Sequence, residues 1–271
     1  WGCSPARLRG LAADPAALRA AVDAHIADIM ASTAPFGLVE WDVVNENHGN
    51  HDLTDILGPD EVARWFRLAR QGFPQGGLTY NDFAHLRPGD AGHRAYVEDA
   101  VLRLRAAGAP VDGLGIQSHF GGPVPPADVL AELDRLAAKL QVRLAITEFD
   151  IESLDGDADL QAAFTRDFLI ACFSHPQVDQ IIAWGFWERD HWLPSAAMFD
   201  RDWTPRPNAR AWDALVRGAW WTDVQAATNA EGVCGVRGFK GRHRVTATLD
   251  GRSVTAETDI GDAAATVRIT L

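Results

Sequence analysis

At 271 residues, with 47% hydrophobic and 23% charged side chains, the chain has the composition of a folded globular protein and room for one large domain, or for a large one with a small companion. A formal net charge of -12 without any basic run argues against nucleic acid as a partner, and a neutral or weakly charged ligand is expected. No apolar run reaches the ~18 residues of a membrane span. Cys3, Cys172 and Cys234 match neither a disulfide framework nor a metal-ligand spacing, which predicts buried free thiols and no metal.

From residue 38 a rhythm begins in which a short apolar run, a turn and an amphipathic stretch of helical length repeat. It predicts strands over 38–45, 77–81, 112–117, 143–148 and 180–186. Helices are predicted between them over 59–71, 88–107, 125–140 and 158–174, opened by Pro59-Asp60-Glu61, by Pro88, by Pro125-Pro126 and by an Asp-rich turn. Proline and acidic residues suit a first helical turn, which needs no backbone donor and whose dipole favours negative charge. Gly113-Leu114-Gly115-Ile116 and Gln180-Ile181-Ile182-Ala183-Trp184 are continuously apolar, the pattern of strands covered on both faces, so the fold class is parallel α/β. A last helix is predicted over 206–217. Beyond Trp220-Trp221 the composition turns to Thr, Val and Gly with two-residue alternation. Val245 to Leu249, Asp250-Gly251 and Arg252 to Ala256 read as a hairpin, because Asp-Gly supplies the positive φ angles of a type I′ turn. The expected division is a domain over 1–219 and a small β-rich appendage over 220–271, of which 222–271 offers only Phe239 as an aromatic stacking group and is read as a spacer.

In parallel α/β folds, ligands sit beyond the carboxyl ends of the strands. Glu46, Asn81-Asp82, Gln117 with His119, Glu148 and Trp184 all fall there. Two of these suggest a reaction. Trp41-Asp42-Val43-Val44-Asn45-Glu46 and Ala145-Ile146-Thr147-Glu148-Phe149-Asp150 each lead an apolar, β-branched stretch into an acid. Hydrolysis of an acetal between sugars needs one carboxyl to protonate the leaving oxygen and another to meet the oxocarbenium-like centre. Glu46 and Glu148 are the candidate pair. Taken singly, each Glu reads as an acid following a buried strand, Asn45 as a strand-end cap and His119 as a satisfied polar residue. Of the tryptophans, Trp65, Trp203 and Trp212 are expected in the core.

Read in order, several segments resemble glycoside hydrolase family 10, the retaining endo-β-1,4-xylanases whose catalytic domain is a (β/α)8 TIM barrel. They are His25-Ile26, Trp41 to Glu46, Tyr80-Asn81-Asp82-Phe83, Gly113 to His119, Ile146 to Asp150, Trp184-Gly185-Phe186-Trp187, Trp192 and Phe199-Asp200, covering roughly residues 10 to 217. The resemblance implies that Glu46 is the general acid/base and Glu148 the nucleophile of a double displacement, with their carboxyls about 5 to 5.5 Å apart. Glu46 is then held protonated and Glu148 ionised by their surroundings. It further implies that His119 hydrogen-bonds Glu148, that Asn45 holds the sugar 2-hydroxyl, and that Trp184 and Trp192 wall the subsite of the cleaved sugar. Asn81, Gln117 and Phe83 are implied as further substrate contacts. Where the family often carries Asn-Asp-Tyr-Asn, this chain has Asn81-Asp82-Phe83-Ala84, so leaving-group contacts are expected to differ while stacking survives on Phe83. Xylan or xylo-oligosaccharides are the implied substrate, without cofactor, in a secreted or periplasmic setting.

The family barrel has eight strands, and the segments present resemble strands 4 to 8, with strands 1 to 3 missing. Residues 1–32 resemble the loop and helix after strand three, with Trp1 at the tail of the missing segment. The chain is thus expected to be a fragment of a longer polypeptide, with a missing N-terminal segment as partner, because open edges and half a core are costly. Two alternatives stand beside the xylanase. One is another clan-related β-glycanase, a cellulase or mannanase; the other is a non-catalytic xylan-binding protein or truncated relic.

Overall fold

The helices begin where acidic and proline residues satisfy their first turns. The computed structural model describes residues 4–152 and 155–271, so Trp1 and Cys3 lie outside the described residues. After a short α1 (Ala6–Arg9), the long α2 (Pro15–Thr33) is capped by Asp14, which accepts the Ala17 N–H at 3.0 Å. Five units follow. They run β1 (Glu40–Asn45), α3 (Asp52–Leu57) and α4 (Glu61–Gly72); β2 (Gly77–Asp82) and α5 (Ala91–Ala106); β3 (Gly113–Ile116), β4 (His119–Phe120) and α6 (Pro126–Leu140); β5 (Arg143–Ile151) and α7 (Ala158–Ser174); β6 (Val178–Ala183) and α8 (Pro207–Asp213). Helix α5 starts three residues after Pro88, because the Asp90 carboxylate takes the Gly92 and His93 N–H groups at 2.8 and 3.1 Å and so fixes the start. The last helix is shorter than expected, since α8 passes into a π-helical turn over Ala214–Ala219.

β1, β2, β3, β5 and β6 pair side by side in chain order, all parallel, and β4 pairs with the C-terminal end of β5. One face of the sheet packs under the helices. Leu78, Tyr80, Leu114, Ile116, Leu144 and Ile146 are fully buried there, beneath the apolar stripes Val62–Trp65–Phe66–Ala69 of α4 and Val129–Leu133–Leu136–Leu140 of α6. Phe149 stacks on Phe168 of α7, with centroids 4.7 Å apart. β1 and β6 have one strand partner each among the described residues. β6 therefore departs from the expectation of a strand covered on both faces: Ile182 is 45% exposed, and the strand stops at Ala183, before Trp184.

Two of the sheet's three register slips among the described residues re-aim side chains toward the site. The pairing of β1 with β2 shifts between Asp42 and Val44, and that of β5 with β6 between Ile146 and Phe149. A bulge moves the residues after it to the other face. Before the first slip, Glu40 reaches Thr79 at 2.6 Å; after it, Val44 is buried and Asn45 turns to Asn81. Around the second, Thr147 and Glu148 both reach Asn81, while Phe149 goes to the helices.

The chain divides into two units at Arg210/Ala211. The second unit contains an antiparallel hairpin of β7 (Gly241–Leu249) and β8 (Arg252–Ile260), turned by Asp250 and Gly251 at φ 50° and 78°. Thr246 and Thr248 hydrogen-bond across it to Thr255 and Ser253, while Val245, Leu249 and Val254 remain exposed. Cys172 is buried in α7, where desolvation pushes its thiol up, but Cys234, also expected to be buried, is exposed, in an irregular and almost wholly exposed segment before β7. No helix among the described residues is long and apolar enough to cross a membrane.

Candidate active site

At the carboxyl ends of the strands, Glu46 and Glu148 are joined by a chain of side-chain amides. Gln117 Nε2 donates to Glu46 Oε1 at 2.9 Å and to Asn45 Oδ1 at 3.0 Å. Asn81 Nδ2 donates to the same Asn45 oxygen at 3.0 Å and to Glu148 Oε1 at 2.8 Å. Asn81 Oδ1 in turn accepts from the Thr147 hydroxyl at 2.7 Å. Asn81 and Gln117 are each 1% exposed, so both amides are locked between partners. With its oxygen taken by two donors, exposed Asn45 directs its own N–H groups away from the network. The glycine of β3 makes room for this arrangement, since a Cβ on Gly115 would meet Asn81 Oδ1 at 2.4 Å.

Glu46 itself lies in the left-handed region at φ 55°, its N–H donating to Asn81 O at 3.0 Å, and Asn50 Nδ2 reaches its other oxygen at 3.3 Å. A non-glycine residue held there is strained, which is characteristic of functional positions. On the opposite side, His119 has a carboxylate on each ring nitrogen: Asp150 Oδ1 at 2.9 Å from Nδ1, and Glu148 Oε2 at 3.2 Å from Nε2. The imidazolium, which donates from both nitrogens, satisfies both carboxylates at once. Burial works against that charge, but the hydrogen bonds to Asp150 and Glu148 outweigh it and push His119 up to about 9.

Trp192 donates from Nε1 to Asp150 Oδ2 at 2.7 Å, and its ring meets His119 edge-on at 5.2 Å. Trp184 meets the same imidazole at 6.3 Å. The chain leaves β6 through Gly185 at φ 67°, against which the buried His191 ring packs so closely that a Cβ would stand 2.6 Å from it. Trp184 and Trp192 are 46% and 59% exposed, leaving flat apolar faces open beside the carboxylates. Phe83 is half-buried and already engaged: the Arg87 guanidinium lies 4.8 Å from its ring centroid, and His93 meets it edge-on at 4.8 Å.

The sequence reading missed Asp150, Thr147, Asn50 and His191. Asp150 is two residues beyond Glu148 on one strand, so two-residue alternation alone points to it; the other three had no such signal. Among the tryptophans expected in the core, Trp65 is buried and Trp212 half-buried, but Trp203, at the end of a tight turn closed by its N–H to Asp200 O, is 53% exposed. His85, Glu98 and Glu132 are the grouping with metal-ligand chemistry among the described residues. The two carboxylates are already occupied, by Arg135 on both and by Lys139 on Glu98, so the cluster reads as an ion-pair lattice between α5 and α6.

A parallel βα succession with polar groups gathered at the carboxyl ends of its strands is the architecture of a parallel α/β protein with its site on that rim. The family described as Glycosyl hydrolase family 10 matches residues 4–215, and the chain belongs to that family. It is 34% identical over 255 residues to the anti-sigma-I factor RsgI6 of Acetivibrio thermocellus, covering 92% of this chain and 31% of that protein. Endo-1,4-beta-xylanase 1 of Arabidopsis thaliana is 29% identical over 208 residues, 76% of this chain and 21% of the plant protein. The chain thus spans about a third and a fifth of these relatives. The crystal structure of xylanase 10B from Thermotoga petrophila in complex with xylobiose superposes with a TM-score of 0.64 and 26% identity, over 73% of this chain and 65% of that one, which shows a TIM-barrel-like fold.

Proposed function

We propose that the chain carries the catalytic machinery of a retaining endo-β-1,4-xylanase, with Glu46 as acid/base and Glu148 as nucleophile. The observation that carries this reading is the shared amide chain, in which Gln117, Asn45 and Asn81 connect the two carboxylates across neighbouring strands. In the first step Glu148 attacks the anomeric carbon while Glu46 gives its proton to the departing glycosidic oxygen; in the second, Glu46 takes a proton from water, which displaces Glu148. Asn45, its N–H groups turned outward, suits the sugar 2-hydroxyl, and Trp184 and Trp192 suit the apolar faces of a xylosyl ring. The five parallel strands correspond in this reading to strands 4 to 8 of an eight-stranded barrel, the remaining strands pairing along β1 and β6. A cellulase or mannanase would use the same carboxylates, and the oligomers released from xylan, glucan and mannan separate the three.

The test uses Glu46→Ala. Hydrolysis of xylan is expected to fall at least about 10²-fold, while azide restores turnover of an aryl xylobioside whose leaving group needs no proton and gives the β-azide. An α-azide product would assign an inverting enzyme and sink the pair of roles.

A second reading rests on the 255 residues matched to the anti-sigma factor, a longer stretch than the 4–215 of the family match. The chain is then the xylan-recognising part of a larger regulatory protein. Retention on xylan without release of oligomers would favour it.

A further inference from the structure

Trp203 is held in a conformation its side chain disfavours and is nonetheless left in water. Its φ is 69°, in the left-handed region, where bulky residues are genuine outliers. The turn that imposes this is pinned on all sides. Trp203 N–H donates to Asp200 O at 2.9 Å, Asp200 N–H to Thr204 O at 2.9 Å, and Thr204 N–H to Asp202 Oδ1 at 3.0 Å. Arg206 clamps Asp200 at 2.6 Å and Glu188 at 2.8 Å, and Arg201 holds Glu188 at 3.0 Å. The indole is equally fixed. It stacks on Trp187 with centroids 5.1 Å apart and planes 9° from parallel, with Phe186 and Phe199 tilted against it at 5.9 and 6.1 Å. Trp187 is anchored by its Nε1–H, which donates to Arg201 O at 3.2 Å.

A tryptophan serving only to fill space would be expected to hide its surface, yet Trp203 is 53% exposed and neighbouring Phe186 54%. Backbone strain retained by a rigid surround clusters at active sites and ligand clamps, and here the strained side chain is left accessible to a ligand. The rings also lie close to the candidate cleft along the chain, with one residue, Gly185, between Trp184 and Phe186. Trp184 lies against His119, and Phe186, two residues further on, touches Trp203.

We propose that Trp203 is a sugar-binding platform, carrying a pyranose of the xylan main chain outside the subsite walled by Trp184 and Trp192. A rigid, flat indole covers the apolar face of a pyranose, and a ring already immobilised gives up little freedom on binding. The proposal rests on the xylan reading above and extends it from the bond being cleaved to the length of chain that is gripped.

Native affinity electrophoresis of the full chain through gels containing soluble xylan tests it, beside thermal unfolding of the same variants. Trp203→Ala is expected to weaken retention about fivefold, whereas Trp203→Tyr, which still presents a flat face, stays within about twofold of the parent. Trp203→Gly suits the positive φ, so it should melt above Trp203→Ala while binding just as weakly, which separates the grip from the fold. Retention of Trp203→Ala equal to the parent overturns the platform. So does a loss shared by Tyr, Ala and Gly in step with lowered melting. A parent chain that xylan does not retard removes the xylan reading and the platform together; a parent that is retarded and cleaves xylan, with Trp203→Ala indistinguishable from it, removes the platform alone.

Discussion

His119 sets the charge balance of the site. Flanked by Glu148 and Asp150, it holds a positive charge between two negative ones, and its ordinary value of 6.5 is raised to about 9. A group whose proton is held more tightly in the folded state stabilises that state fully below its unfolded value and ceases to do so as the pH passes its folded value. Stability is therefore expected to decline between pH 6.5 and about 9, by at most about 3 kcal/mol. Urea unfolding across that range measures it, and His119→Gln should flatten the slope. A parent whose midpoint stays level from pH 6.5 to 9 would show that the imidazolium adds nothing to folding.

Helices α5 and α6 are tied by a small ionic lattice. Glu98 is 3% exposed and takes two hydrogen bonds from Arg135, at 3.1 and 2.6 Å, and one from Lys139 at 2.6 Å. Removing Arg135 strips a nearly buried carboxylate of its main partner, whereas removing both leaves no buried charge at position 98, only the more exposed Glu132 and Lys139 each short of one partner. Arg135→Leu is expected to cost about 2 to 4 kcal/mol, and Glu98→Leu with Arg135→Leu clearly less. A double variant as unstable as the single one would refute this account. The same contrast between pattern and contact marks what the sequence disclosed. The strands that lead into Glu46 and carry Glu148, and the stripes of α4 and α6, were legible because they follow the periods of sheet and helix, although β5 runs past the expected 148 to Ile151. The exposure of β6 was not, since an apolar run reads the same whether or not both faces are covered. The slips at Val43 and Thr147 were equally silent: a bulge leaves no mark in composition, yet it decides that Asn45 and Glu148 face the same space.

Across the whole sheet, the proposed acid and nucleophile stand at unequal depths. Glu148 belongs to β5, which pairs with β3, β4 and β6, whereas Glu46 follows β1, paired with β2 alone among the described residues. In this chain taken without the strands proposed to pair along β1, that strand opens at a lower free energy than the interior β5. Catalytic lifetime on warming should therefore be governed by local fraying rather than by global melting. Backbone amides of Val43 to Asn45 are expected to lose hydrogen-exchange protection before those of Leu144 to Ile146, and xylan cleavage to fade several degrees below the loss of helical ellipticity. Saturating xylotriose, by bridging both carboxylates, should draw the two temperatures together. Coincident temperatures, with and without the sugar, would mean that the proton donor is anchored as firmly as the nucleophile and that the edge never opens on its own.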